Sequence, residues 1–187
     1  MKPKVLFVSV LTVSLCTIFI TKLTAQVTHT IGASTPIGIR TDSDKNTEAY
    51  YMGAFSYGFR YPLSSTENSS FSIGPLASIG GGFYDDYSGF IYSGDVQAWA
   101  DYNHGMGAVA DPAKNTGVYV GLGFGVSYTG IDGEAIDEYS GISVGPMIRA
   151  GFRFGVLDIP LGIGLYYKHG LEKSKWRTFG FHILADF

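Results

Sequence analysis

Alternation of apolar residues with small or polar residues, at intervals of two, is the feature that most restricts how this chain can fold. In the segment GVYVGLGFGVSYT at 117–129, one parity carries Val, Leu, Phe and Tyr, and the other carries mainly Gly, Ser and Thr. Side chains of a β-strand point alternately to opposite faces of a sheet. The segment is therefore predicted to be a strand with one apolar face and one face of small and polar side chains.

The same period recurs along most of the chain after residue 26, more weakly in the first and third of eight segments. These predicted strands are 27–39, 51–61, 71–83, 90–102, 117–129, 140–154, 159–169 and 176–187. Pro75 and Pro146 fall inside two of them, where a residue without an N–H is expected to cause a bulge or a shifted boundary. Alternation alone leaves open which face is buried, because a soluble β-sandwich has the same period with its apolar face inside.

Glycine on the polar faces distinguishes the two arrangements. The chain has 26 glycines in 187 residues, against an average usage of about 7%. A soluble sheet would carry Lys, Glu and Thr on its exposed faces, and rows of glycine there would weaken it. Inside a narrow eight-stranded barrel, glycine makes room for large side chains from neighbouring strands. The sequence thus predicts an all-β fold, an eight-stranded antiparallel transmembrane β-barrel with its apolar face toward lipid. A soluble secreted β-barrel or sandwich is the alternative.

The first residues, MKPKVLFVSVLTVSLCTIFITKLTAQ, have the layout of a secretory signal peptide cleaved after Ala25. We therefore expect a signal peptide at 1–25 and one barrel domain at 26–187. Removal of three lysines and no acid would change the formal charge from −3 to −6. An acidic chain is a poor candidate for nucleic-acid binding. Since Cys16 is the only cysteine, the predicted barrel contains no disulfide.

The last segment, WRTFGFHILADF at 176–187, has apolar residues at every odd position from Phe179 to Phe187. At the even positions from Thr178 to Asp186, Leu184 is the only apolar residue. With this ending, residues 26–187 resemble the small outer-membrane β-barrel proteins of Gram-negative bacteria, namely the porin-like family and the OmpA/OmpX-type eight-stranded barrels. The resemblance implies a monomer in the cell outer membrane, in contact with outer-membrane lipid and lipopolysaccharide. It also implies periplasmic termini and outward loops near 40–47, 84–89, 130–139 and 170–175.

In the proteins that the chain resembles, the closing strand is also what the outer-membrane assembly machinery is thought to read. This would be a form of strand addition, in which main-chain bonds give affinity and alternate side chains give specificity. The resemblance thus implies an assembly signal formed by Phe179, Phe181, Ile183 and Phe187.

Charged residues on the inner parity are the candidate functional groups of the lumen. These are Arg60, Asp95, Asp101, Arg149, Arg153, Lys168 and Asp186. An eight-stranded barrel has room only for side chains, and an unpaired buried charge is costly, so we expect these groups to pair and plug the lumen. The protein would then have a structural or surface-interaction role. The alternative is a small porin-like channel lined by charge.

No catalytic, cofactor or metal site is expected from the sequence, and the protein is predicted not to be an enzyme. Outer-membrane lipid A deacylases use a His followed two residues later by a Ser, whereas here His169 is followed at that offset by Leu171. The segment DSDKNTE at 42–48 begins like a calcium loop, but Thr47 stands where glycine is needed and Gly53 where a bidentate Glu is needed. The sequence identifies no ligand for the predicted surface loops, whose acidic residues are expected to be solvated.

Overall fold

The computed structural model describes residues 27–41, 47–83, 90–108, 115–132, 141–157, 159–172 and 176–187. All regular structure in these ranges is antiparallel β-sheet. The nine strands are β1 (Thr28–Thr41), β2 (Thr47–Tyr51), β3 (Gly53–Ser65), β4 (Ser69–Phe83), β5 (Phe90–Gly105), β6 (Thr116–Asp132), β7 (Gly141–Val156), β8 (Ile159–His169) and β9 (Arg177–Asp186). The predicted signal peptide lies outside the described residues, as do 42–46, 84–89, 133–139 and 173–175 of the predicted outward loops. No helix in the described ranges is long and apolar enough to cross a membrane.

Pairing between β1 and β9 closes the sheet into a barrel. Each strand from β3 onward pairs with the next, and β9 returns to β1 with a register running from Thr30 opposite Asp186 to Ile39 opposite Arg177. At the chain end, Phe187 N donates to His29 O at 2.8 Å and His29 N donates to Phe187 O at 3.0 Å. Both β2 and β3 pair with the same edge of β1, so together they occupy one strand position of the barrel. The nine strands therefore fill eight strand positions, which we call staves. The predicted eight-stranded antiparallel barrel is confirmed.

Prolines lie at the irregularities of the wall: ladders break beside Pro36, Pro75 and Pro146, and the β3–β4 register shifts between Pro62 and Ser64. Pro36 pairs with Gly180 of β9, whereas on its other side β1 has no ladder partner between Ala54 of β3 and Tyr51 of β2. Met52 N still donates to Pro36 O at 3.1 Å, which shows that proline accepts a bond here but cannot donate one. The second stave is therefore divided into β2 and β3 at Met52.

Pro75 and Pro146 follow the same rule. Pro75 pairs with Ala98 of β5, but the β3–β4 ladder is interrupted beside it, between Leu76 and Ile73. Pro146 pairs with Phe124 of β6, and the ladder between β7 and β8 begins only at Met147. Each proline stays paired with the neighbouring strand to which it would donate no N–H. The ladder with the other neighbouring strand is interrupted beside the proline.

The two faces of the wall have opposite chemistry. Ile79, Leu122 and Phe152 project outward and are 72%, 67% and 70% exposed, whereas Arg149 and Arg153 project inward and are 6% and 3% exposed. Leu184, which breaks the parity of the last segment, is buried inside the barrel. Since both termini of the described barrel lie at one end, we call that end the termini end. The opposite end, where β1, β4, β6 and β8 finish, is the loop end.

Candidate functional site

The barrel interior is the candidate site. Of the Asp, Glu, Lys and Arg residues in strands whose side chains the structure describes, all except Arg177 point into it. It divides into three layers along the barrel axis. The termini-end network consists of Arg60, Asp101, Asn103, Arg149, Arg153 and Asp186. The aromatic belt consists of Leu76, Trp99, Tyr119, Met147, Tyr166 and His182. Asp95 and Lys168 lie beyond the belt, toward the loop end.

Asp186 is the centre of the termini-end network. Its Oδ1 accepts a hydrogen bond from Thr30 Oγ1 at 2.7 Å, and its Oδ2 accepts one from Arg60 Nη2 at 2.7 Å. Arg153 Nε lies 3.0 Å from the same Oδ2, which makes an ion pair although the N–H is not aligned for a hydrogen bond. The last inward residue of β9 therefore connects β1, β3 and β7 across the lumen.

Asp101 holds the third ion pair of the network, with Arg149. Its two carboxylate oxygens accept from Arg149 Nε at 2.9 Å and from Arg149 Nη2 at 2.5 Å, the bidentate geometry that arginine favours. The same guanidinium lies 4.3 Å from the ring centroid of Trp99, within the range of a cation–π contact. Arg153 lies similarly, 4.4 Å from the ring centroid of Tyr119. Each guanidinium is thus held both by a carboxylate and by an aromatic face.

Asn103 is a functional residue of the network that the sequence analysis did not single out. Its Oδ1 accepts from Arg60 Nη1 at 3.1 Å and from Arg153 Nη1 at 2.7 Å, and its Nδ2 donates to Ser72 Oγ at 3.0 Å. Three arginines face only two aspartates here, so a neutral acceptor that bridges two guanidinium groups compensates part of the excess positive charge. The sequence feature that could have identified Asn103 is its position on the inner parity, two residues after Asp101.

The aromatic belt fills the barrel between the network and the loop half. His182 stacks between Tyr119 and Tyr166, with ring centroids 5.9 Å and 5.8 Å away. Leu76, Trp99 and Met147 form one buried cluster against which Tyr166 packs. These side chains separate the termini-end network from the cavity above the belt.

Asp95 and Lys168 are joined through a hydroxyl group. Lys168 Nζ donates to Ser127 Oγ, and Ser127 Oγ donates to Asp95 Oδ1 at 3.2 Å. Gln97 Nε2 occupies the other oxygen of Asp95 at 2.5 Å. Within the described ranges, Lys168 forms no direct ion pair. The structure therefore places all seven predicted lumen charges on the inner face, five in the termini-end network and two apart from it.

The histidines of the described residues lie near strand ends or pack inside the barrel. His169 lies on the outer wall with its Nδ1 3.1 Å from Tyr167 Oη, and His182 contacts Tyr119 Oη inside the barrel. A pair that the sequence analysis did not predict, Ser69 Oγ and His104 Nδ1, is 2.8 Å apart. Tyr102 also donates to Ser69 Oγ, and no carboxylate of the described residues hydrogen-bonds to His104, so the arrangement lacks the third member that orients a catalytic base.

No cluster in the described part of the chain is suited to hold a metal ion through His, Cys, Asp or Glu side chains. The segment 42–48 and the loop acids before residue 140 lie mainly outside the described residues. The four residues of the predicted assembly signal, Phe179, Phe181, Ile183 and Phe187, all face outward and are 47%, 39%, 40% and 59% exposed.

Comparison with known proteins identifies the fold. No protein-family model matches the chain, and no curated protein matches it. The solved structure of Neisserial surface protein A matches with a TM-score of 0.52 at 14% identity, over 85% of this chain and 97% of that chain. The structure of Ail, the attachment invasion locus protein of Yersinia pestis, matches with a TM-score of 0.52 at 12% identity, over 87% of this chain and 99% of that chain. These likenesses show that the chain shares its barrel fold with both proteins.

Removal of Asp101 should test whether the lumen charges are mutually dependent. Asp101→Leu leaves the Arg149 guanidinium buried without its carboxylate, which typically costs about 3–5 kcal/mol of unfolding free energy. The double variant Asp101→Leu with Arg149→Met should recover most of that loss, because neither charge remains. The measurement is urea unfolding of protein refolded in detergent, with the outward substitution Thr35→Val as control. Equal losses in the single and double variants would contradict the pairing.

Proposed function

We propose that the chain is an outer-membrane β-barrel protein with a structural or surface-interaction role and a lumen plugged by polar side chains. The observation that supports this is the polarity of the wall: large apolar side chains cover the outside, and arginine, lysine and aspartate are buried inside. A protein surrounded by water has the opposite distribution. A closed sheet is also one of the two backbone arrangements that satisfy all main-chain polar groups in lipid.

The soluble alternative fits the structure poorly. A soluble lipocalin-like barrel would direct its apolar faces into the lumen or against a second sheet. Here Leu122, Ile148, Phe152 and Leu165 are all more than half exposed on adjacent strands. Patches of this extent mark interaction surfaces, and a continuous belt around a barrel fits lipid.

Lipid contact on the loop side is proposed at the rim formed by β8, β9 and β1. Arg177 is exposed and pairs in register with His169 on one side and Ile39 on the other. Among strand residues whose side chains are described, it is the one charged residue that projects from the outer wall. Since arginine binds phosphate groups well, this position suits the phosphate groups of lipopolysaccharide. A monomer is part of the proposal, and it is supported by the pairing of β1 with β9, which leaves no open edge there for a second copy to add a strand.

A structural role is favoured over a pore because the ion pairs and the aromatic belt occupy the middle and the termini half of the interior. The belt lies across the path from the loop end to the termini end, and the network below it is held by charge-assisted hydrogen bonds.

Purified protein in a planar bilayer should show no steady conductance, because the belt and the network occupy the lumen. The matched variant combines Trp99→Ala with Tyr119→Ala, which keeps the residues of all three arginine–aspartate pairs but removes two rings. Current steps should be more frequent in this variant than in the wild type. Reproducible open-channel steps from the wild-type protein would instead favour the small porin-like channel.

Phe187 provides the test of the proposed assembly signal. Its backbone closes β9 onto His29, whereas its side chain is 59% exposed, so Phe187→Ala removes the side chain and keeps both backbone bonds. Burial of a whole Phe side chain is worth about 1.5–3 kcal/mol at most, so stability in detergent should change little. Insertion in cells should slow strongly if the assembly machinery reads this residue. Parallel changes in insertion and stability, or no change in either, would show that Phe187 is only a wall residue.

A further inference from the structure

The loop half of the lumen contains a chamber that neither the plug nor the wall explains. It holds about 520 Å³ of space free of protein atoms, part of which is continuous with solvent. Its floor is the aromatic belt, represented by Met147 and Tyr166, and its walls carry hydroxyl groups from several strands. A plug that served only to fill the barrel would need no such space.

An apolar cluster lies over this chamber. Tyr50, Met52, Ile91 and Trp176 are buried together, and the rings of Tyr50 and Trp176 meet edge to face with centroids 5.5 Å apart. Three of these residues, Tyr50, Met52 and Trp176, line the chamber. A solute that entered from the loop end would therefore pass this cluster before it reached the polar walls.

The chamber walls present one positive and one negative group that are not directly paired. Lys168 is 2% exposed, and its ammonium has three N–H donors, of which one is directed at Ser127. Asp95 lines the same chamber on the other side of the Ser127 hydroxyl. Glu172, which is outside the chamber lining, is engaged by the backbone N–H of Val144 at 3.1 Å.

Ser143 supplies an independent indication of a ligand. It lines the chamber, is 6% exposed, and its Oγ has no hydrogen-bond partner in the protein. A buried hydroxyl group without a partner is costly, so its partner must come from solvent or from a solute in the chamber. Ser143 lies on β7, directly opposite Ser127 in the register of β6 and β7. The unpartnered hydroxyl is therefore adjacent to the bridge between Lys168 and Asp95.

We propose that this chamber binds a small zwitterion, a solute with one ammonium and one carboxylate group, as in an amino acid. Lys168 would hold the carboxylate, Asp95 the ammonium, and Ser143 a remaining donor or acceptor. A simple anion would leave Asp95 repelling it, and a simple cation would be repelled by Lys168. A neutral polyol would satisfy Ser143 but would gain nothing from either charge, whereas a zwitterion complements both in a water-poor site.

The two tryptophans of the chain make the test direct. Trp99→Phe leaves Trp176, beside the chamber, as the only tryptophan and thus as a fluorescent reporter. Folded protein in detergent is titrated with glycine, methylammonium, acetate and glycerol at constant ionic strength. Glycine is the zwitterion, methylammonium and acetate each carry one of its two charged groups, and glycerol is the neutral polyol. Glycine should produce a saturable change in Trp176 emission at concentrations at least tenfold lower than any other probe.

Variants in the Trp99→Phe background complete the experiment. Lys168→Met and Ser143→Val should each weaken the glycine response at least tenfold, whereas the outward control Thr35→Val should leave it unchanged. Ser143→Val changes no charge, so it remains informative if Lys168→Met fails to fold. The proposal is overturned if glycine gives no saturable change, if acetate or glycerol acts as strongly as glycine, or if the response survives the folded chamber variants. Since the readout needs only folded protein, its failure is independent of the proposed location in the outer membrane.

Discussion

Hydrogen bonds between β1 and β9 close the wall, and the other features of the molecule depend on that closure. In hydrocarbon an unsatisfied N–H or C=O group costs several kcal/mol, so a spanning sheet has to be free of open edges. Closure also determines where side chains can go, since each residue faces either the outside or a narrow lumen. Pro36, Pro75 and Pro146 show how strictly the rule applies: each interrupts the ladder with one neighbour, and each keeps its partner on the other strand.

Closure with eight staves creates a lumen that has to be filled, and the sequence fills it with pairs of small and large residues. Gly151 and Gly164 lie beside the Tyr119 ring, and a Cβ atom at either position would collide with the Tyr119 hydroxyl. That space lets Tyr119 reach both His182 and the Arg153 guanidinium. The interior is therefore stabilised by contacts across the lumen as well as along the wall. The loop-half chamber is the part of the interior where this filling is incomplete.

The period-two pattern was sufficient to predict the number of staves and the direction of each face, because both are local properties of a strand. Phe55 and Tyr57 outside and Arg149 inside follow from parity alone. Partners across the lumen could not be predicted, because they depend on stagger between strands far apart in the chain. Asp186 meets Arg60 of β3 and Arg153 of β7, and nothing near Asp186 in the sequence indicates either.

The break at Met52 was missed for a similar reason, since its cause is Pro36 on the neighbouring strand. The direct pairing expected of all lumen charges holds for Asp101 and Asp186, whereas Asp95 and Lys168 are joined through Ser127.

Spin labels on the outer wall test the central claim, that the apolar face meets lipid, most directly. Residues 26–187 contain no cysteine, so single cysteines at Ala98 and Ala150 can be labelled specifically. Both side chains face outward. In lipid vesicles, both labels should be mobile and accessible to oxygen, which concentrates in hydrocarbon, and inaccessible to a water-soluble nickel complex. High accessibility to nickel, or immobile labels inaccessible to both reagents as in a packed soluble core, would contradict the account.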